Sequence, residues 1–206
     1  MPNKTKRLVM VIDLDHCIGC WTCATACKAE NNVSLGNWWS RVLSPETTGH
    51  YYSEPGKGPD GQPVLSFLPI ACQHCENAPC VRACPTGATH KRPDGITAQD
   101  YSLCIGCRTC MSACPYNARV FNWRDPQVVA VEGEHIGNAA VPVRSKNVVE
   151  KCTFCQERID QGQIPACVEA CPTVARHFGD LNDPNSEVAR LIRERGGKVL
   201  KEEFGT

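Results

Sequence analysis

Apolar residues in this chain come in short bursts separated by polar, cysteine-bearing stretches. The first burst, Leu8–Ile12, is stopped by Asp13 and reads as a strand. Further short strands are predicted at Leu65–Ile70, Ala88–Lys91, Gly95–Thr97, Arg119–Asn122 and His177–Gly179. Pro93-Asp94-Gly95 is a hairpin signal between two of them. The helical pieces are equally short: Ala24–Glu30, Val81–Ala83, Met111–Ala113 and Val168–Ala170. Pro85, Pro115 and Pro172 then end three of these turns, because proline has no N–H to continue them. Ser186–Arg195 alternates apolar and charged residues at helical spacing and stops at Gly196-Gly197, a suitable C-cap. It predicts a surface helix packed on the domain. Ser44–Pro63 and Pro126–Lys146 read as loops.

Composition sharpens this picture. The 206 residues suffice for one to two small domains. Lys plus Arg equals Asp plus Glu at 22 each, so no net field points to nucleic acid. Aromatics make up 6% and apolar residues 42%, cysteine included, a thin hydrocarbon core for this length. Metal–thiolate bonds are expected to replace part of that core, leaving the apo chain poorly folded. No apolar run approaches the roughly 18 residues of a membrane span. The basic start and the short Leu8–Ile12 run do not make a secretory signal, and there is no twin arginine. The expectation is a soluble chain without a targeting signal of its own. It would reach an extracytoplasmic site by co-export with a partner, or work at the cytoplasmic face of the membrane.

The sixteen cysteines carry the chemistry. They form four groups: Cys17, Cys20, Cys23, Cys27; Cys72, Cys75, Cys80, Cys84; Cys104, Cys107, Cys110, Cys114; and Cys152, Cys155, Cys167, Cys171. The third, CIGCRTCMSACP, has the C-x2-C-x2-C-x3-C-P spacing of a bacterial ferredoxin. The first has the same spacing with Lys28 in place of proline. The second and fourth stretch one interval, the fourth by an 11-residue insert, and keep the final C-x3-C-P. Three thiolates on one loop suit three corners of an iron–sulfur cube, and the fourth cysteine, one helical turn on, ligates another cluster. Sixteen ligands at four per cluster give four [4Fe–4S] clusters. Disulfide scaffolds are usually much shorter, and structural zinc pairs two separate C-x2-C knuckles, so neither fits the repeated triplet.

Four motifs exchanging their last cysteines pair either sequentially or in a nested way. Only 19 residues separate Cys84 from Cys104, against 44 and 37 in the other two gaps, which favours nesting without deciding it. His16 and His74 lie beside cysteines, but four thiolates per cluster leave them hydrogen-bonding or surface roles. Lys28, Arg82 and Arg108 are candidates for placing positive charge near a cluster. Trp21, Trp38, Trp39 and Trp123 suit ordinary packing, with cluster shielding or a partner face as the alternative. Nothing resembles a nucleophile–base pair or a phosphate-binding glycine loop, so no catalytic residue is expected.

Four stretches together carry a family resemblance: MVIDLDHCIGCWTCATACKAENNV, CQHCENAPCVRACPTGATHKRPDG, CIGCRTCMSACPYNAR and KCTFCQERIDQGQIPACVEACPTVARHFGDLNDP. The chain resembles the four-cluster iron–sulfur subunit of molybdopterin oxidoreductases, the electron-transfer subunits of dimethyl sulfoxide, polysulfide, thiosulfate, tetrathionate and arsenate reductases in anaerobic respiration. The resemblance implies the nested pairing. Cys17, Cys20, Cys23 and Cys171 would hold one cluster, and Cys27, Cys152, Cys155 and Cys167 its neighbour. Cys72, Cys75, Cys80 and Cys114 would hold the third, and Cys84, Cys104, Cys107 and Cys110 the fourth. Some relatives replace one ligand with Trp and carry a three-iron cluster, whereas this chain keeps all sixteen cysteines.

The expected fold is α+β, two ferredoxin-like double-cluster units of small strands and short helices with long loops. The outer unit would take 1–43 and 147–180, the inner one 64–125, with 181–206 as a C-terminal extension. The implied partners are a molybdenum or tungsten bis-pterin catalytic subunit, and a membrane quinol-oxidising subunit or a cytochrome. The alternatives are a polyferredoxin-type subunit of a formate dehydrogenase or hydrogenase, and a non-redox zinc scaffold.

Overall fold

The computed structural model describes residues 6–44, 56–57, 63–64, 66–126, 130–131, 134–135 and 137–206. Its strands form six two-stranded antiparallel ribbons among the described residues. The longest joins Leu8–Ile12 to Arg176–Asp180, with Leu8 opposite Asp180 and Ile12 opposite Arg176. That ribbon brings the two ends of the chain together and lays the helix Thr22–Glu30 against the helix Ala166–Glu169. The first and fourth cysteine groups thereby become neighbours. In the middle of the chain the hairpin Thr89–Lys91/Thr97–Gln99 and the packed helices Pro79–Arg82 and Thr109–Ser112 do the same for the second and third groups. Val120–Phe121 pairs with Val149–Glu150, tying the third group to the strand that leads into the fourth.

Each short helix holds the third cysteine of its group at its second residue: Cys23, Cys80, Cys110 and Cys167. Helices therefore start slightly earlier than the sequence pattern suggests, and three of them stop before the fourth cysteine. The second hairpin strand is Thr97–Gln99 rather than Gly95–Thr97, because Gly95 at φ +88° is spent in the turn. The strands Arg41–Leu43 and Val149–Glu150 and the helix Gln156–Ile159 have no counterpart in the sequence pattern. Of the two predicted loops, Ser44–Pro63 lies largely outside the described residues and Pro126–Lys146 partly so. Their described parts include strands of the ribbons Gly56–Lys57/Pro63–Val64 and Ala130–Val131/Glu134–His135.

The C-terminal helix is Glu187–Arg195, as the spacing predicts. The Ser186 hydroxyl accepts the Ala189 N–H at 3.2 Å, and Gly196 takes the left-handed conformation that ends it. Val188 and Ala189 form its buried face against the Leu8–Ile12 ribbon. The residues after it fold back over the second and third cysteine groups. The Tyr116 hydroxyl donates to the Leu200 carbonyl at 2.8 Å, and Lys201 donates to the Pro115 carbonyl at 2.7 Å.

The core is divided into four small clusters, and cysteines belong to all of them or pack against them. The largest gathers Cys27, Val33, Trp39, Ile96, Cys152 and Phe154. Apolar packing is thus concentrated around sulfur, as the low aromatic content suggests.

Candidate metal centres

One backbone device recurs in all four cysteine loops. The residue before the second cysteine is left-handed in each: Gly19, His74, Gly106 and Phe154, with φ of 71°, 44°, 70° and 58°. This turns the loop so that successive cysteines point inward. Glycine is required in the two tight loops. A Cβ at Gly19 would meet the Phe67 ring at 2.5 Å, and one at Gly106 the Asn147 carbonyl oxygen at 2.3 Å. The two stretched loops use bulky residues instead, at a strain of about 1 kcal/mol each. There the His74 and Phe154 rings stack with centroids 3.6 Å apart, joining the second group to the fourth.

A second device follows the fourth cysteine. Gly87, Asn117 and Val174, each three residues on, are left-handed, and Ala88, Ala118 and Ala175 behind them are buried. The turn aims N–H groups at sulfur: Thr89 N–H to Cys84 Sγ at 3.5 Å and Ala175 N–H to Cys171 Sγ at 3.3 Å. The Thr86 and Thr173 hydroxyls lie 3.7 and 3.8 Å from the same sulfurs.

All sixteen thiols are free of disulfides. The structure gathers them across long sequence distances. Cys27 feels the charges of Cys152, Cys167 and Cys155. Cys17 feels Cys23 and Cys171, and Cys75 feels Cys72 and Cys80. Cys114 packs with Cys72 and Cys75 around Tyr116. Cys107 feels Cys84, and Cys110 feels Cys104. Three pairs cross between these gatherings within shared packing clusters: Cys23 with Cys167, Cys72 with Cys152, and Cys80 with Cys110. Cys20 and Cys107 are the two exposed cysteines. Among the described residues no three His, Cys, Asp or Glu side chains close in as ligands of a single metal ion.

Electrostatics separates the middle from the ends. Burial, together with neighbouring thiols, pushes Cys27 and Cys152 well above the ordinary thiol range, and pushes Cys167 up to about 11. Cys155 is raised by burial although the Asn31 amide donates to its sulfur at 3.5 Å. Such a dry, self-repelling pocket holds protons until a metal displaces them. Nearer the surface the balance reverses. Burial is the largest single influence on Cys84 and raises it, but the Thr89 N–H and the Thr86 hydroxyl and N–H together outweigh it and bring it down to about 7. The Thr109 hydroxyl and N–H lower Cys107 in the same way.

Positive charge enters the core at places the sequence does not suggest. Lys28 instead caps the Ser34 and Asn37 carbonyls at 2.8 Å, Arg82 bonds Asn77, and Arg108 stacks on Trp123 at 4.5 Å. Four Lys or Arg side chains are buried: Arg144, which faces Glu150 at 3.8 Å, and Arg119, Lys151 and Arg176, which face cysteines. Arg119 and Arg176 occupy equal places in the repeat C-P-x-x-A-R, which begins at Cys114 and Cys171, and that repeat is the signal that could have found them. His74 is buried and its Nδ1 accepts the Thr97 N–H at 3.1 Å; His16 is exposed and pairs with Asp13. Trp39 is 2% exposed within the core, whereas Trp21 and Trp123 face outward.

The donor set fits iron–sulfur chemistry: soft thiolates in groups, backbone N–H and hydroxyl donors to sulfur, and buried cations to offset their charge. Residues 63–135 and 138–181 match a family described as a 4Fe-4S dicluster domain, and 16–88 match a second family of the same description. A Halobacterium salinarum protein named as an iron–sulfur subunit of a dimethyl sulfoxide reductase is 49% identical over 96% of this chain and 75% of its own length. The arsenate respiratory reductase iron–sulfur subunit of a Shewanella species is 42% identical over 97% of this chain and 93% of its own. The chain belongs to this family of reductase iron–sulfur subunits. An Archaeoglobus fulgidus relative, named as an iron–sulfur subunit of an Hdr-like menaquinol oxidoreductase, is 38% identical over 99% of this chain and 82% of its own length. Like these subunits, the protein carries [4Fe–4S] ligation and an electron-transfer role. Among its described residues no helix is long and apolar enough to cross a membrane.

Proposed function

We propose that the chain carries four [4Fe–4S] clusters and relays electrons between a molybdopterin catalytic subunit and a quinol-linked membrane subunit or redox protein, without catalysing a reaction itself. The ligand sets are the nested ones. Cys17, Cys20, Cys23 and Cys171 form the first, and Cys27, Cys152, Cys155 and Cys167 the second. Cys72, Cys75, Cys80 and Cys114 form the third, and Cys84, Cys104, Cys107 and Cys110 the fourth. The first two belong to an outer unit of 1–43 with 147–180, the others to an inner unit of 64–125. The subunit reaches its compartment together with its catalytic partner.

The observation that carries this reading is the chain of cross-set neighbours that share a packing cluster, Cys23 with Cys167, Cys152 with Cys72 and Cys80 with Cys110. It orders the sets in a line from exposed Cys20 to exposed Cys107. When bound, the clusters supply one-electron carriers. The chain's own residues do the rest. Thiolates fix the carriers, N–H groups at Cys84 and Cys171 soften charge on sulfur, and the Cys27, Cys152, Cys155 and Cys167 pocket excludes water. At both ends exposed apolar side chains stand near the exposed cysteine in the chain: Ile18 and Trp21 near Cys20, and Leu103 and Ile105 near Cys107, with exposed Trp123 against Arg108. Two such rims suit two partners.

The test is cluster content and ligand exchange. Anaerobically purified protein, coexpressed with a pterin-binding subunit, should hold about sixteen iron and sixteen acid-labile sulfide per chain. Cys84→Ser should alter the EPR signal of the Cys104, Cys107 and Cys110 centre and spare that of Cys72, Cys75 and Cys80. Substantial zinc with little sulfide would refute the cluster reading. Loss of the Cys72 centre alone would refute the nested sets.

A further inference from the structure

Arg144 aside, which faces Glu150, the three buried cations that face cysteines are distributed with a regularity that ligand binding alone does not require. Arg176 senses Cys23 on one side and Cys167 and Cys152 on the other. Lys151 senses Cys152 on one side and Cys72 and Cys80 on the other. Arg119 senses Cys80 and Cys72 on one side and Cys110 on the other. In the nested assignment these are the junctions between first and second, second and third, and third and fourth centres. We propose that Arg176, Lys151 and Arg119 are junction charges, each raising the reduction potentials of the two adjacent centres it lies between. The proposal rests on the four-cluster reading above.

Each charge is held in place. Lys151 is 0% exposed. Its Nζ donates to the Cys152 carbonyl at 2.8 Å and to the Thr97 carbonyl. Thr97 in turn gives its N–H to His74 in the second cysteine loop, so the ammonium is pinned between the two stretched loops. The Arg119 guanidinium donates to Gln99 Oε1 at 3.0 Å and Thr89 Oγ1 at 3.2 Å. Arg176 donates to Cys167 Sγ at 3.7 Å and Ser40 Oγ at 3.3 Å. Neither arginine is fully satisfied by these neutral partners: Arg119 Nη2 and Arg176 Nε are buried with no hydrogen bond. A buried cation costs several kcal/mol unless opposite charge faces it, and a hydrocarbon side chain would fill the same space without that cost. What faces these three is thiolate.

The physics gives the sign. Reduction adds negative charge to a centre, so a nearby fixed cation favours the reduced form, the more so in a water-poor interior. A cation shared by two neighbours raises both and leaves the difference between them little changed. Lys91 differs: it bonds the carbonyls of His74 and Cys75 and senses Cys72 and Cys75, within one set.

The experiment is an EPR-monitored redox titration of the coexpressed complex with Lys151→Gln, Arg119→Gln and Arg176→Gln. Glutamine keeps donors for the local carbonyls and hydroxyls while removing the charge. Each variant should lower the potentials of one adjacent pair and leave the other two. Lys151→Gln moves the second and third centres, Arg119→Gln the third and fourth, and Arg176→Gln the first and second. The expected fall is about tenfold in the reduced-to-oxidised ratio at fixed potential, or ~59 mV for a one-electron couple. Lys151→Arg should restore the wild-type values. With four clusters present, unchanged potentials, or an equal fall at all four centres, would overturn the inference. So would failure of all three Gln variants to assemble clusters while the charge-keeping Lys151→Arg assembles them, since that marks a structural role. Wild-type protein without four clusters would instead overturn the reading beneath it.

Discussion

The two tight cysteine loops and the two stretched ones are built to the same plan and end in opposite surroundings. Tight loops place glycine at the left-handed position and expose the residue beside it: Ile18 is 59% and Ile105 68% exposed, next to exposed Cys20 and Cys107. Stretched loops place His74 and Phe154 there and bury both rings against each other. The difference shows where a relay spends its packing. The middle is dry and crowds thiols together, so they are driven toward the protonated form, against the opposite pull of the buried Arg176, until metal binds. The ends stay open, with sulfur stabilised by local N–H and hydroxyl donors.

Serine in place of a cysteine should break the comparison most sharply. Cys152→Ser, in the dry middle, should abort assembly and leave little soluble protein. Cys107→Ser, at an end, should leave most of the iron and alter one EPR signal. Equal iron loss in both variants would show that burial does not grade the sites.

Packing is the next largest effect. Phe154→Ala removes the stack on His74 and the edge contact to Phe178 at 5.3 Å, and should cost about 3–5 kcal/mol in anaerobic unfolding. Ile105→Ala should stay within about 0.5 kcal/mol.

Glu150 gives a pH signature of the middle. Burial pushes it up to about 7 against the pull of Arg144. The unfolded carboxyl titrates near ~4.3, so the folded form is favoured at low pH. Stability should fall by about 2–3 kcal/mol between pH 5 and 8, and Glu150→Gln should flatten that slope. Urea midpoints under argon at several pH values would read it.

The smallest expected stability effect lies at the rims. Ile18→Ser and Ile105→Ser should change unfolding by about 0.5 kcal/mol or less. Each should weaken retention of one partner in pull-downs from the coexpressed complex. If either variant loses both partners, the two ends do not act separately.

Much of this is legible in the chain. The four groups, the hairpin turn at Gly95 and the helix capped by Ser186 and Gly196 all depend on residues a few positions apart, whereas glycine is needed at Gly19 and Gly106 because of the distant Phe67 and Asn147. The family resemblance carries the nested ligand sets. The stretched intervals hint that the second and fourth groups differ, but not that His74 and Phe154 stack, since 80 positions separate them. Lys28, Arg82 and Arg108 stand near cysteines in sequence and bond elsewhere, whereas Lys151, equally adjacent to Cys152, and Arg119 and Arg176, five residues past Cys114 and Cys171, are the ones that face sulfur, so nearness in sequence is no measure of nearness in space. Arg108 shows the error: it sits between two cysteines and turns outward onto Trp123.

The sequence by itself determined the kind of ligand, the number of ligands and the loop geometry, because cysteine spacing and local backbone preference set those over a few residues. Tertiary structure alone decided which cysteine groups pack side by side, which sulfurs water reaches, and where positive charge is buried. Those depend on the ribbon between Leu8–Ile12 and Arg176–Asp180 and on packing between segments far apart in the chain, where side-chain identity says little until the neighbours are known.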